Sequence, residues 1–187
     1  NEADRVDYNF DIIDGRIVIT TRKRGNPIDT VVSELMIFVN SEWGKLLADN
    51  AVAAIYRSQQ NMKTRMTTDP LPHEGLGVPQ YAWSSSPLRR YVDLLNQWQI
   101  IAAARLGRTA ALAAPFKPKD AMLFSIISSF DGAYSAYNGF QQAIERYWTM
   151  RWLQQNGVSE LDATVMKDGL VRAETLPLVF RALGCEP

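Results

Sequence analysis

The sequence has few of the residues that mark several common classes of functional site. Its 187 residues include one cysteine, Cys185, and one histidine, His73. A single cysteine excludes an internal disulfide and is typical of a reducing compartment, so we expect a cytoplasmic protein. One Cys and one His far apart in the sequence cannot form a zinc site. No apolar run is long enough to cross a membrane, and we expect no membrane partner.

An excess of charge of one sign is also missing. Lys and Arg total 20, Asp and Glu total 20, and the formal net charge is zero. A neutral chain has no overall field that attracts nucleic acid, so any anion must be bound by a local arrangement. The sequence also lacks a glycine-rich phosphate loop, a Ser/His/Asp order and a dense carboxylate cluster, which excludes the chemistry typical of those motifs.

Strand-like patterns are present at both ends of the sequence. Residues 6–12 alternate apolar and polar side chains, Asp14-Gly15 is a hairpin signal, and residues 16–21 form the expected returning strand. Residues 163–180 predict short strands around an Asp168-Gly169 turn, which we interpret as the start of a further β domain. Because the first residue is asparagine and not methionine, we expect the chain to be a piece of a longer polypeptide.

Apolar residues recur at helical spacing through the middle of the chain. They predict helices over 28–49, 87–106 and 120–155, with a short helical segment over 51–59 and an irregular Pro- and Gly-rich loop over 60–80. The core face expected for the first helix is Ile28, Val31, Val32, Leu35, Val39, Trp43 and Leu46. That expected for the second is Leu88, Tyr91, Val92, Leu95, Trp98 and Ala102.

Two arginines follow the start of the second predicted helix. Arg89 and Arg90 come directly after Ser86 and Pro87, an N-cap residue and a first-turn residue. A helix start carries partial positive charge, so a cation there is disfavoured by about 0.3–1 kcal/mol. A bound phosphate would offset this cost, because backbone N–H groups, guanidinium groups and nearby hydroxyls would all donate to it. The alternative is a solvated ion pair between Arg89 and Asp93.

Other polar and aromatic residues have a structural and a functional interpretation. Glu145 and Arg146 on the third predicted helix are either a surface pair or part of a site. His73 lies in a Pro/Gly loop without an obvious nucleophile, which favours a loop-organising role over catalysis. Tyr81 and Trp83 precede the serines in a loop and could stack on bases.

The segment YAWSSSPLRRYVDLL, residues 81–95, resembles the signature of the RNase II (RNB) exoribonuclease family. Four further segments resemble the family in the same order: RVDYNFDIIDGRI, VVSELMIFVN, PHEGLG and AIERYWTMRWL. The resemblance implies that residues 1–157 form the second half of an RNB-like catalytic domain and residues 158–187 the beginning of an OB-type RNA-binding domain. The expected fold is helix-rich α+β, with an N-terminal β-hairpin, long helices and the start of this OB-type domain.

The resemblance also implies roles for individual residues. Family members remove nucleotides one at a time from the 3′ end of single-stranded RNA, releasing nucleoside 5′-monophosphates with Mg²⁺. Arg89 resembles the arginine that grips the scissile phosphate, and Glu145 resembles a glutamate near the RNA end. The implied RNA-binding residues are Ser33, Glu34, Tyr81, Ser86, Arg90 and Arg146. The family's Glu-Glu pair is here Ser33-Glu34, so only its second carboxylate is present.

The aspartates that hold the metal ions in this family have no match in the sequence. The simplest hypothesis is that the Mg²⁺ ligands lie in a missing N-terminal half of the same polypeptide, and that this fragment alone does not cleave RNA. One alternative is a non-catalytic RNA-binding relative without a metal site. A third interpretation is a helical protein-interaction module, which would have no salt-dependent affinity for RNA.

Overall fold

A computed structural model describes residues 6–23 and 25–182, so Asn1 and Cys185 lie outside the described residues. The fold is helix-rich α+β, as predicted. The strands are β1 Val6–Ile13, β2 Arg16–Lys23, β3 Tyr56–Gln60, β4 Lys63–Thr67, β5 Ala163–Val165, β6 Leu170–Ala173 and β7 Val179–Arg181. The helices are α1 Pro27–Asp49, α2 Tyr91–Leu106, α3 Ala110–Ala113 and α4 Ala121–Asn156. No helix in the described part of the chain is long and apolar enough to cross a membrane.

The chain divides into two compact units. The first unit contains the chain up to residue 27 and from residue 135 onward, and the second contains residues 28–134. Helix α4 contributes residues to both. The predicted division into residues 1–157 and 158–187 stays a prediction.

The N-terminal hairpin of the first unit confirms the prediction. Strands β1 and β2 pair antiparallel, and the turn residues Asp14 and Gly15 have φ values of 50° and 74°. Positive φ at both positions is what a two-residue hairpin turn requires. Gln155 of α4 binds the backbone of Ile17 in β2, since its Oε1 accepts from the Ile17 N–H at 2.9 Å and its Nε2 donates to the Ile17 carbonyl at 3.1 Å.

The C-terminal region of the first unit is a three-stranded antiparallel sheet in the order β5-β6-β7. The turn before β6 contains Asp168 and Gly169 with φ values of 62° and 68°, as the sequence predicted. Leu176 and Leu178 are buried in a small apolar cluster against which Trp152 packs. The assignment of this sheet to an OB-type domain stays a prediction.

In the second unit, α1 has the predicted length but not the predicted buried face. Ile28 and Leu35 are 74% and 57% exposed, whereas Asn40, Gly44 and Leu47 are buried. The rest of the expected face is also exposed or half-buried: Val31, Val32, Val39, Trp43 and Leu46. Helical periodicity locates a face but does not say what covers it, and here polar Asn40 lies on the covered side.

The predicted short helix over 51–59 is wrong, and so is part of the predicted loop over 60–80. Residues 56–60 form β3, which pairs antiparallel with β4 in a second hairpin. Its turn residues Asn61 and Met62 both have positive φ, at 49° and 65°. The turn lacks glycine, and methionine is a rare residue in the left-handed region, so no hairpin signal is visible in these residues.

Helix α2 begins later than predicted. Its first residue is Tyr91, and Arg90 has extended backbone angles as the N-cap residue. Its buried residues are Val92, Asp93, Leu95, Asn96, Gln99 and Ala103. Three members of the predicted core face, Leu88, Tyr91 and Trp98, are instead exposed. The helix ends at Gly107 as predicted.

Helix α4 is continuous across Gly132 and Gly139. It ends before Gly157, whose φ is 62°, as the sequence predicted. Within the second unit Leu123 is fully buried, and Ile127 and Phe130 pack against the core cluster that contains Tyr81 and Trp83.

Candidate nucleic-acid interface

The irregular segment 81–90 leads into α2 and carries most of the predicted site. Residues 81–84 are buried, whereas Leu88 and Arg89 are exposed. A buried segment outside helices and sheets needs side-chain partners for its backbone polar groups, because an unpaired buried group costs free energy. Polar side chains of α1 and α2 supply those partners.

Asn40 of α1 binds the segment from one side and is 1% exposed. Its Oδ1 accepts from the Ser84 N–H at 3.1 Å, and its Nδ2 donates to the hydroxyls of Tyr81 and Ser85, each at 3.2 Å. The Asn40 carbonyl also accepts from the Ala82 N–H at 3.2 Å. One buried asparagine therefore holds four of the five positions 81–85, namely 81, 82, 84 and 85.

Asn96 and Gln97 of α2 bind the same segment from another side. The Asn96 Nδ2 donates to the carbonyls of Ile55 and Trp83, each at 2.8 Å, and its Oδ1 accepts from the Ile55 N–H at 2.9 Å. Gln97 Nε2 donates to the Ser84 carbonyl at 2.7 Å. These bonds tie the segment to the residue that precedes β3.

Asp93 is fully buried and binds the last part of the segment. Its Oδ1 accepts from the Ser86 N–H at 2.9 Å and from Arg90 Nη2 at 2.8 Å, and its Oδ2 accepts from Arg90 Nε at 2.7 Å. The alternative interpretation of a solvated ion pair between Arg89 and Asp93 is therefore wrong. The partner of Asp93 is Arg90, because α2 begins at Tyr91 and the turn before it directs Arg90 back to the carboxylate.

Arg89 differs sharply from its neighbour. It is exposed, and its Nη2 lies 3.4 Å from Ser86 Oγ. Within the described residues it forms no ion pair, and no side chain caps the start of α2. A planar guanidinium next to uncapped helical N–H groups is an arrangement that binds phosphate.

Tyr81 was predicted to contact RNA, and its burial argues against that role. It is 8% exposed, its hydroxyl accepts from Asn40, and its ring lies edge-on to His73 at 5.7 Å between centroids. A ring that is 8% exposed offers little surface on which a base could stack. Tyr81 is a structural residue of the segment.

Ser33 and Glu34 are exposed on the N-terminal half of α1. Ser33 precedes Asn40 by two turns, about 10 Å along the helix axis, and so lies on the same face. Their side chains are therefore available to a ligand on this side of the second unit.

Glu145 and Arg146 belong to the first unit. Glu145 is half-buried, accepts from Gln141 Nε2 at 2.7 Å, and lines a recess together with Asp11 of β1. Arg146 is exposed and donates from Nη1 to the Val179 carbonyl of β7 at 3.1 Å. Although the two residues are adjacent in the sequence, they have separate partners and do not form a pair.

His73 is buried and positions its loop through its backbone. Its N–H donates to the Val78 carbonyl at 3.0 Å, and it forms a parallel bridge with Gln59. Its Nδ1 has no hydrogen-bond partner among the described residues. Burial, and to a smaller extent the charge of Arg57, lower the pKa of His73 below its usual value. These contacts agree with the predicted loop-organising role.

A family model for the RNB domain matches residues 62–105, a range that includes the whole of segment 81–90. This part of the chain is therefore similar to the RNB domain. The chain is 25% identical over 166 residues to "Ribonuclease II, chloroplastic/mitochondrial" of Arabidopsis thaliana, which covers 83% of this chain and 19% of that protein. It is 30% identical over 120 residues to an uncharacterized ribonuclease of Synechocystis, which covers 63% of this chain and 16% of that protein. The chain therefore spans less than a fifth of the length of these relatives.

Solved structures of two ribonucleases have a similar fold. An active-site mutant of the Dss1 exoribonuclease from Candida glabrata matches with a TM-score of 0.67 at 21% identity, covering 83% of this chain and 24% of that one. RNase R of Mycoplasma genitalium, in complex with double-stranded RNA, matches with a TM-score of 0.69 at 15% identity, covering 96% of this chain and 42% of that one.

The sequence interpretation missed two residues that shape this candidate interface. Asn40 was not among the core residues predicted for the first helix, although an asparagine in the middle of an apolar helical pattern is a signal for a buried hydrogen-bonding role. Arg57 was assigned to a short helix, but it lies in β3, with its guanidinium carbon 4.3 Å from the centroid of the Trp83 ring.

Proposed function

We propose that this chain supplies the phosphate-clamping half of a hydrolytic 3′→5′ exoribonuclease that degrades single-stranded RNA to nucleoside 5′-monophosphates. The observation that carries the proposal is the contrast between two adjacent arginines. Arg90 is neutralised by buried Asp93, whereas Arg89 is exposed and has no acidic partner among the described residues. A chain with no net charge that keeps one such arginine uncompensated at a helix start is suited to bind an anion there.

The rigidity of the segment supports a role in phosphoryl transfer. Three buried polar side chains, Asn40, Asp93 and Asn96, hold the backbone that carries Arg89. A donor held in place before the substrate arrives needs no reorganisation as charge develops on the phosphate, and this is the main way that such groups lower a reaction barrier. In this proposal Arg89 stabilises the scissile phosphate.

The remaining predicted residues would position the RNA. The Ser86 hydroxyl lies beside Arg89 and would add a donor, and Arg90 would hold the segment in register. Ser33 and Glu34 would contact the terminal nucleotides. Because Ser33 stands where the family has its first glutamate, only the Glu34 carboxylate would be available to contact the ribose. In the first unit Glu145 would orient the 3′-terminal nucleotide, and Arg146 would contact the strand.

The residues described here do not fit the Mg²⁺ site that the family implies. Within residues 6–23 and 25–182, no group of three His, Cys, Asp or Glu side chains is placed to hold a metal ion. We infer that the Mg²⁺ ligands belong to a missing N-terminal half of the same polypeptide, so that the chain alone binds RNA without cleaving it. The same observation favours a second candidate, a non-catalytic RNA-binding relative.

Both candidates are tested with 5′-labelled single-stranded RNA. We expect the 187-residue chain to bind the RNA with a salt-dependent affinity and to leave it intact in Mg²⁺ as in EDTA. Arg89→Gln should weaken binding by roughly tenfold, whereas Arg105→Gln, at an exposed arginine near the end of α2, should not change it. EDTA-sensitive shortening by the chain would show that it contains its own metal site.

The two candidates differ in the activity of the complete polypeptide. If the polypeptide encoded by the whole reading frame shortens the RNA from its 3′ end and Arg89→Gln abolishes this, the chain is part of an exoribonuclease. If the complete polypeptide binds RNA with the same dependence on Arg89 but leaves it intact, the non-catalytic candidate is correct. Absence of salt-dependent binding would contradict both.

A further inference from the structure

Two arginines from different elements contact the same indole ring. The guanidinium carbons of Arg57 in β3 and Arg90 before α2 lie 4.3 and 4.1 Å from the centroid of the Trp83 ring. Trp83 is 7% exposed, and the Arg57 N–H donates to the Tyr81 carbonyl at 2.8 Å. Arg57 is therefore held directly beside segment 81–90, although it precedes that segment by 24 to 33 residues in the sequence.

The two guanidinium groups differ in their charge compensation. Arg90 donates twice to the Asp93 carboxylate. The Arg57 guanidinium has no hydrogen bond and no ion pair within the described residues, and it is half-buried. Burial lowers the pKa of Arg57 below its usual value, and the like charge of Arg90 adds to this effect. Arginine nevertheless stays charged at neutral pH, so a partly desolvated cation remains without an anion.

The surface beside Arg57 has the composition of a nucleotide site. Arg57 and Trp83 line an open recess with Thr64, Arg65, Asp131 and Tyr134. Asp131 does not form an ion pair with Arg57 in the described part of the chain. Tyr134 is 43% exposed and its ring is stacked on that of Phe130, at 5.5 Å and 18°. Cationic groups that track a phosphate backbone, next to an exposed aromatic ring, are how proteins bind single strands.

We propose that Arg57 binds a backbone phosphate of single-stranded RNA, as a second anion-binding residue in addition to Arg89. This inference rests on the proposed function and assigns a second contact on the same unit of the protein. The bound phosphate would supply the counter-charge that Arg57 lacks. The stacking of Arg57 on Trp83 would orient its free N–H groups before the RNA arrives, which lowers the entropic cost of binding.

A purely structural cation–π role for Arg57 makes a different prediction. Each phosphate neutralised by a protein cation releases counterions from the strand, so the logarithm of the affinity falls with the logarithm of the salt concentration by about 0.7 per contact for single strands. An arginine that only supports Trp83 does not contribute to this slope. The slope therefore separates a phosphate contact from a packing contact.

The experiment is a titration of the 187-residue chain with a fluorescent single-stranded RNA at several salt concentrations, from about 50 to 200 mM. The variants are Arg57→Met, which keeps an apolar stem over Trp83, and Arg57→Lys, which keeps the charge. Arg105→Gln removes an exposed arginine from the same unit as the control. We expect Arg57→Met to reduce the slope by about 0.7 and to weaken binding by roughly tenfold. The slope should be unchanged in Arg57→Lys and Arg105→Gln.

An unchanged slope in Arg57→Met would overturn this inference. If Arg89→Gln reduces the slope while Arg57→Met does not, the proposed function stands and Arg57 is a structural residue. If the unmodified chain binds RNA without salt dependence, the proposed function and this inference both fail. Thermal melting of each variant tests whether it is folded. If Arg57→Met does not fold, Arg57→Lys is the comparison with the smallest change. A reduced slope in Arg57→Lys would contradict a contact based on charge.

Discussion

The carboxylate of Asp93 accepts two hydrogen bonds from the guanidinium of Arg90, at 2.7 and 2.8 Å, and is fully buried. The same carboxylate accepts from the Ser86 N–H at 2.9 Å. The ion pair therefore acts on the backbone as well as on the arginine. It closes the turn from which exposed Arg89 projects.

Asp93→Asn should destabilise the fold strongly. The change leaves the part-buried Arg90 charge without its partner, and breaking a buried ion pair in this way costs about 3–5 kcal/mol. Urea denaturation of the variant measures this free energy of unfolding. Asp49→Asn is the control, because Asp49 pairs with Lys45 at 2.6 Å on the surface of α1, where we expect no measurable change. Equal effects of the two substitutions would contradict the assigned role of Asp93.

Asn40→Leu should destabilise the second unit and also weaken RNA binding. The substitution removes the acceptor of the Ser84 N–H and the donor to Tyr81 and Ser85, at an expected cost of about 1–3 kcal/mol for the buried groups left unpaired. Urea denaturation and RNA titration measure the two effects. Glu42→Gln, at an exposed position on the same helix, should change neither. Unaltered RNA affinity in a folded Asn40→Leu protein would show that the segment does not need this support.

Gly44→Ala and Gly132→Ala should have effects of opposite sign. Both glycines are helical, and alanine in place of glycine in a helix is favourable by about 0.8–1 kcal/mol. At Gly132 nothing lies within 4 Å of the added Cβ, so the variant should be more stable by that amount. At Gly44 the Cβ would lie 3.3 Å from the backbone nitrogen of Ala82, which Asn40 holds in place.

The expected result for Gly44→Ala is a net loss of about 1 kcal/mol, because the rigid segment cannot move away from the new methyl group. Thermal melting of the two variants beside the unmodified chain measures both changes. A stabilised Gly44→Ala protein would mean that segment 81–84 shifts readily, in conflict with its network of hydrogen bonds.

His73 should make the stability of the fold depend on pH. Burial and the charge of Arg57 lower the pKa of His73 in the folded state, so the unfolded chain takes up a proton at a higher pH than the folded one does. The free energy of unfolding should therefore be fully maintained above about pH 6.5 and decrease as the pH falls below it.

Urea denaturation above and below that pH measures the effect, with His73→Gln as the comparison. Because His73 is the one histidine of the sequence, the difference between the two proteins isolates its titration from that of the carboxylates. An identical decrease in both proteins would assign the pH dependence to other groups.

Local signals were sufficient for several elements of this fold. The Asp14-Gly15 turn, the helical run that ends at Asp49 and the stop at Gly157 were all predicted at the positions where they occur. Each depends on backbone preferences of a few neighbouring residues, which a single sequence displays directly. The β3–β4 hairpin was missed because its turn residues, Asn61 and Met62, adopt positive φ although neither is glycine, the residue that usually marks such a turn.

The sequence by itself determined the resemblance of segment 81–95 to a family signature, the N-terminal hairpin and the three long helices, because these depend on residues close together in the chain. Only the tertiary structure decided which arginine is neutralised. In the sequence, Asp93 lies three residues after Arg90 and four after Arg89, but the turn that Asn40 and Asn96 help to hold assigns Arg90 to the carboxylate and leaves Arg89 exposed. It also brought Arg57 onto Trp83, a contact between residues far apart in sequence. Such pairings depend on long-range packing, which no local pattern specifies.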